Sequence, residues 1–209
     1  MHLSSLSIAV HVALVAVPVA VYFLVLGMLN SRQRPQLLTA RQDFALLVGA
    51  LAPLLLIPAQ QAMGWNPWAW GAAGAGAAAL AALLAPRRGR WVIYNMSAQG
   101  ACRLVVAALE QAGWQVQVQA DVLELGADRR VRLSGFALLR NVSVQAEGLD
   151  GVQEQALHQA LASQLEAAEA LPHPMAAAML LVAAFMLCAP LALVAREAPE
   201  IVRLISDLL

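Results

Sequence analysis

The stretch Leu6-Ser-Ile-Ala-Val-His11-Val-Ala-Leu-Val-Ala-Val-Pro18-Val-Ala-Val-Tyr22-Phe-Leu-Val-Leu-Gly27-Met-Leu29 contains no charged residue. Its length meets the ~20 apolar residues that a helix needs to cross a hydrocarbon core. Three further apolar runs follow, at Phe44–Pro58, Trp68–Ala85 and Met175–Val194. With 61% of its residues hydrophobic and 12% charged, the chain departs from soluble globular composition. These runs predict a mainly α integral membrane protein, built as a four-transmembrane-helix bundle.

The domain organisation follows from the spacing of the runs. Residues 1–86 hold the first three transmembrane helices, at about 6–29, 43–59 and 68–86. Residues 87–172 form a small α+β domain inserted between helices 3 and 4. Residues 173–195 form the fourth helix, and residues 196–209 an amphipathic tail with Ile201, Leu204, Ile205 and Leu208 on one face. The second run is the least regular, since Pro53 and Pro58 interrupt it. The N-terminal run lacks a basic leader and is too long for a cleaved signal, so it reads as a retained span.

Arginines set the orientation. Arg32, Arg34 and Arg41 follow the first run, and Arg87, Arg88 and Arg90 follow the third. The connection between the second and third runs, Ala59 to Trp68, is uncharged. Positive charge marks the cytoplasmic side, so the N- and C-termini are predicted periplasmic and the α+β domain cytoplasmic. The basic residues are all arginine and alanine is abundant, which suggests a GC-rich bacterial genome and an inner-membrane location. Trp65, Trp68 and Trp70 fit an aromatic belt at the outer surface, and Trp91 is a candidate for the same role inside. Together with Arg87, Arg88 and Arg90 they read as membrane anchors.

Between Arg90 and Leu171 the periodicity changes to β-α-β-β-β-α. Trp91–Tyr94 is rich in β-formers, and Ser97 is placed to cap a helix from Ala98 to about Ala112, stopped by Gly113. Alternation from Trp114 to Ala120, at Val131 and Leu133, and at Val142 to Ala146 predicts half-buried strands. Asp150 with Gln153 resembles a capping box ahead of a helix carrying Leu157, Leu161 and Leu165. The expected sheet has three or four strands, with the helices on one face. His158 is expected on the solvent side of its helix, paired with Glu154.

Chemistry-bearing residues are few. Ser4, Ser7, His11, Pro18 and Tyr22 share one side of the first helix, and a polar stripe inside a bilayer should face protein. His11 admits three readings: an interhelical or interfacial hydrogen bond, a tetrapyrrole ligand to haem iron or chlorophyll magnesium, and a proton relay. Gly71, Gly74 and Ala78 permit close helix packing, which predicts that the third helix is buried in a bundle. Cys102 and Cys188 fall in different regions, so neither a disulfide nor a Cys/His metal site is expected. Met175, Met179 and Met186 suit adaptable packing.

Residues 87–172 carry eight arginines against nine acidic residues, so no basic face for nucleic acid is expected. P-loop, nucleophile-elbow and zinc-protease patterns are not present in the sequence. These features predict a non-enzymatic accessory, scaffold or assembly subunit of a larger inner-membrane complex, respiratory or photosynthetic among others. Its partners would be other integral membrane proteins and the lipid bilayer, with no cofactor beyond a haem or chlorophyll contact at His11. A small multi-pass transporter or channel, or a membrane-tethered sensor or docking protein, is the alternative.

Overall fold

A computed structural model describes residues 3–64, 66–119, 121–126, 128–136, 140–169 and 174–196. Within these, the side chains of residues 3–11, 56, 57, 61, 193, 194 and 196 fall outside the description. The chain is mainly helical, with one small antiparallel sheet.

Three described helices are long and apolar enough to cross a membrane: Val12–Ser31, Pro67–Leu84 and Pro174–Ala192. The first lies in α1 (Leu3–Ser31) and the third in α7 (Pro174–Arg196). These two pack against each other more extensively than any other pair of elements. Gly27 marks a close approach, because a Cβ there would stand 2.8 Å from the Leu180 side chain. Ala20 and Leu26 on α1, and Ala176, Met179 and Ala183 on α7, are buried. Small residues at such positions let two helices approach within dispersion range.

The expected second span is not one helix. It is divided into α2 (Ala40–Leu51), a 3-10 turn (Ala52–Leu55) and α3 (Leu56–Met63). Pro53 lacks the N–H that would bond the Gly49 carbonyl, and Pro58 repeats the defect at Leu54. Three apolar helices therefore stand where four were expected. The α2 start is well defined all the same: Thr39 and Gln42 form a reciprocal capping box.

The sheet holds six strands in the order β1-β2-β6-β5-β4-β3. These are β1 (Gln36–Thr39), β2 (Arg90–Tyr94), β3 (Gln117–Gln119), β4 (Val122–Glu124), β5 (Arg130–Phe136) and β6 (Asn141–Glu147). Two strands exceed the expectation. The Val122–Glu124 strand closes a short hairpin with β3, and Gln36–Thr39 joins from the connection after α1. The expected β-α-β-β-β-α order thus gains a strand internally and another from outside residues 87–172.

Helices α5 (Ala98–Gln111) and α6 (Gly151–Ala167) start at the expected caps, with Ser97 accepting from the Gly100 N–H and Asp150 pairing with Gln153. Both lie against one face of the sheet. Trp91, Ile93, Val142, Val144, Val131 and Leu133 face Val105, Leu109, Leu157 and Leu161 in a continuous core. Each fully buried aliphatic chain there contributes roughly 1.5–3 kcal/mol. Trp91 is only 5% exposed and belongs to this core, so it is not a membrane anchor. Its ring stacks on His158 at 6.2 Å, which turns His158 inward and away from the solvated role expected of it. The His158 Nδ1 is buried without a hydrogen-bond partner among the described residues.

Candidate functional site

Strand alternation gives β2 two jobs. Trp91 and Ile93 point to the helical core, while Val92 and Tyr94 point the other way. There they meet Leu26 and Met179, with Tyr22, Phe23, Leu29, Leu38 and Met175 around them. This second cluster fastens the sheet to the α1–α7 pair. It is a junction between two of the helices that are long and apolar enough to cross a membrane and the sheet.

Polar groups lock the junction at two points. Asn95, fully buried at φ 60°, follows β2 directly. Its backbone N–H donates to Asn30 Oδ1 at 3.2 Å, and its Nδ2 donates to the Arg32 carbonyl at 2.6 Å. Asn30 Nδ2 in turn donates to the Leu26 carbonyl at 3.0 Å. Asparagine tolerates the left-handed region better than most side chains, so one residue supplies both the turn and the bonds. At the second point the Tyr94 hydroxyl donates to Asp43 Oδ1, tying β2 to the first turn of α2. Burial pushes the Tyr94 phenol well above its ordinary range, and the Asp43 hydrogen bond and negative charge push it further.

Beside the junction lies a groove of about 590 Å³ between the uncovered part of the sheet and α2. Arg90, Gln145 and Arg132 form one row across β2, β6 and β5, with Ser143 and Ser134 paired in the next row. Phe44, Leu47 and Pro86 make the opposite, apolar wall, and Asp43 and Asp121 stand at its margins. Arg41 Nε donates to the Pro86 carbonyl at 3.4 Å, which brings the start of α2 to the exit of α4 (Pro67–Leu84). A larger opening of about 790 Å³ lies at the far sheet edge. Two of its charged groups engage each other: Arg130 hydrogen-bonds Glu147 and thereby holds that carboxyl below the usual range.

The anticipated residues fall into separate places. Ser7 and His11 lie on α1 with their side chains outside the description, so the tetrapyrrole reading of His11 is untouched by it. Tyr22, on the same stripe, enters the junction cluster. Trp65 and the 197–209 tail lie outside the described residues. Trp68 is 87% exposed, and Trp70 Nε1 donates to the Gly64 carbonyl at 2.9 Å, closing the turn before α4. Arg87, Arg88 and Arg90 are all exposed, and Arg90 begins β2.

Gly71, Gly74 and Ala78 lie on α4, which contains no buried residue. A Cβ at Gly71, Gly74 or Gly76 would meet nothing within 4 Å. The expected burial of this helix is therefore not provided by the described part of the chain. The close-packing glycine of the α1–α7 pair is Gly27, which the sequence reading passed over. Its signal was a lone glycine in a run of valines and leucines. Among the described residues no group of three His, Cys, Asp or Glu side chains converges as a metal site. Compared with protein-family models, curated proteins and solved structures, the chain matches none.

Proposed function

We propose that this chain is a non-catalytic accessory subunit, a scaffold or assembly element, of a larger bacterial inner-membrane complex. The observation that carries this reading is α4. It is long and apolar enough to cross a bilayer, yet none of its residues is buried and no other described element packs along it. Its glycines and alanines gain little from lipid, but they permit the close approach of another protein's transmembrane helix. The partner is accordingly another integral membrane protein.

The proposed topology has four crossings, with both termini periplasmic and the sheet cytoplasmic. Parity supports it. β1 leaves α1 on the sheet side, and α4 returns to β2 on the same side. Between Thr39 and Arg90 the number of crossings is therefore even. If α4 crosses, the kinked 40–63 segment crosses as well. Arg32, Arg34, Arg41, Arg87, Arg88 and Arg90 all collect on the sheet side, as positive charge does in the cytoplasm.

The test is extraction from the native membrane in mild detergent, followed by mass spectrometry of co-migrating chains. A stoichiometric partner that is lost on Gly74→Leu supports the subunit reading. A lone chain or a simple homo-oligomer sinks it and moves transport or sensing forward.

A further inference from the structure

We propose that the groove between the sheet and α2 binds the phosphate-bearing headgroup of an anionic membrane lipid. The inference rests on the proposed topology, in which the 40–63 segment and α4 cross the membrane. It does not rest on any partner subunit, since α4 reaches the groove only through Pro86, just past its end. The two walls differ in kind. On the sheet side, Arg90 and Arg132 flank Gln145 in one cross-strand row, with the Ser134 and Ser143 hydroxyls beside them. On the other side, Phe44, Leu47 and Pro86 offer hydrocarbon. An amphiphile fits such a groove better than a wholly polar metabolite does.

The charges favour an anion. Arg90 has no ion-pair partner among the described residues, and Arg132 reaches Glu147 only at 3.8 Å. Of the carboxylates lining the groove Asp43 accepts from Tyr94, while Glu147, outside the groove, is bonded to Arg130 and Gln145. Asp121 also lines the groove, next to Val122, the cross-strand partner of Arg132. Guanidinium groups match phosphate oxygens with paired, charge-assisted bonds.

The location selects the lipid. In the proposed topology the start of α2 and the end of α4 are where the chain enters and leaves the membrane, and both border the groove. From Ala40 the chain runs down through Phe44 and Leu47, so acyl chains can follow the wall that a headgroup's position sets. Anionic headgroups concentrate near arginines on the cytoplasmic face.

The full chain is purified in mild detergent after incubation with phosphatidylcholine vesicles containing a minor fraction of phosphatidylglycerol. Retained lipid is then counted by native mass spectrometry. One phosphatidylglycerol per chain is expected, with retention falling at least about tenfold in R90Q/R132Q, since each charge-assisted contact is worth roughly that factor. Removing the same charge just outside the groove, in R87Q/R88Q, should change retention less than about twofold on the same scale. Ser143→Glu keeps both arginines, sets a carboxylate beside them and should also expel the lipid; it serves if the double variant does not fold. Inorganic phosphate at millimolar concentration should not displace the lipid. Unchanged retention in R90Q/R132Q or Ser143→Glu would overturn the proposal, as would an equal loss in R87Q/R88Q. Ready displacement by inorganic phosphate would overturn the lipid assignment in favour of a soluble anion.

Discussion

At Asn95 the backbone takes φ 60° while the side chain is fully buried, and these two facts together restrict the position. Asn95→Ala removes the donor to the Arg32 carbonyl and forces an alanine into the left-handed region. The loss is partly offset, because Asn95 Oδ1 is itself buried without a partner among the described residues. The net expectation is a destabilisation of roughly 1–3 kcal/mol, read by denaturant unfolding in detergent. Asn95→Gly keeps the backbone conformation and should lose less. Tyr94 gives a pH prediction. Its raised folded pKa means that the protonated phenol favours the native state. That stability is fully present below the ordinary phenol pKa of about 10 and is lost as pH rises beyond it. In a Tyr22→Phe background, where Tyr94 is the remaining tyrosine, tyrosinate absorbance should appear only together with alkaline unfolding. Asp43→Asn removes the opposing charge, so ionisation should begin at lower pH. Little of this junction was legible in the sequence. Asn30, Asp43, Tyr94 and Asn95 are common residue types at unremarkable spacings, and they meet only because β2 docks on α1.

Among the elements, the α1–α7 pair and α4 respond oppositely to the same kind of substitution. Gly27→Leu drives a side chain into Leu180 and should cost roughly 1–3 kcal/mol or more in stability. Gly74→Leu meets nothing within the chain, so the melting temperature of the isolated protein should not change. A marked loss of stability in Gly74→Leu would show that α4 packs within its own chain after all. Elements announced by local chemistry were readable in advance. The Ser97 and Asp150 caps and the Gly113 stop bound α5 and α6 because capping is decided within four residues. The kink of the second apolar run was visible in Pro53 and Pro58, although its division into separate helices was not. β1 was missed because Leu37 and Leu38 alternate over too short a stretch. Its evidence is the pairing of Leu38 with Val92, a distant partner. For the same reason Trp91 resembled an interfacial anchor until its strand register placed it in the core.

For the molecule as a whole, the sheet gathers the end of α1, the return from α4 and the start of α7 at one place, which the proposed topology sets on one side of the membrane. With Cys102 and Cys188 replaced, single cysteines at Arg34 and Ser163 should label from the same side. A cysteine at Asn66 should label from the opposite side. Labelling of Asn66 together with Ser163 would leave only α1 and α7 as crossings. The apolar runs made three helices long and apolar enough to cross a membrane legible from sequence, whereas the parity of the proposed crossings rests on a strand that no hydropathy pattern shows. β1 also has a consequence for how the protein is made. At roughly 5–20 residues per second, the ribosome releases Gln36–Thr39 well before its partner β2, and β2 before β6. Until then a nascent chain carries an open strand edge beside the end of α1, and α1 waits for α7 to reach its glycine. Under the proposed topology insertion and folding are separate events, and a stalled or truncated translation product would retain α1 as an anchor while exposing an unpaired edge to quality-control proteases.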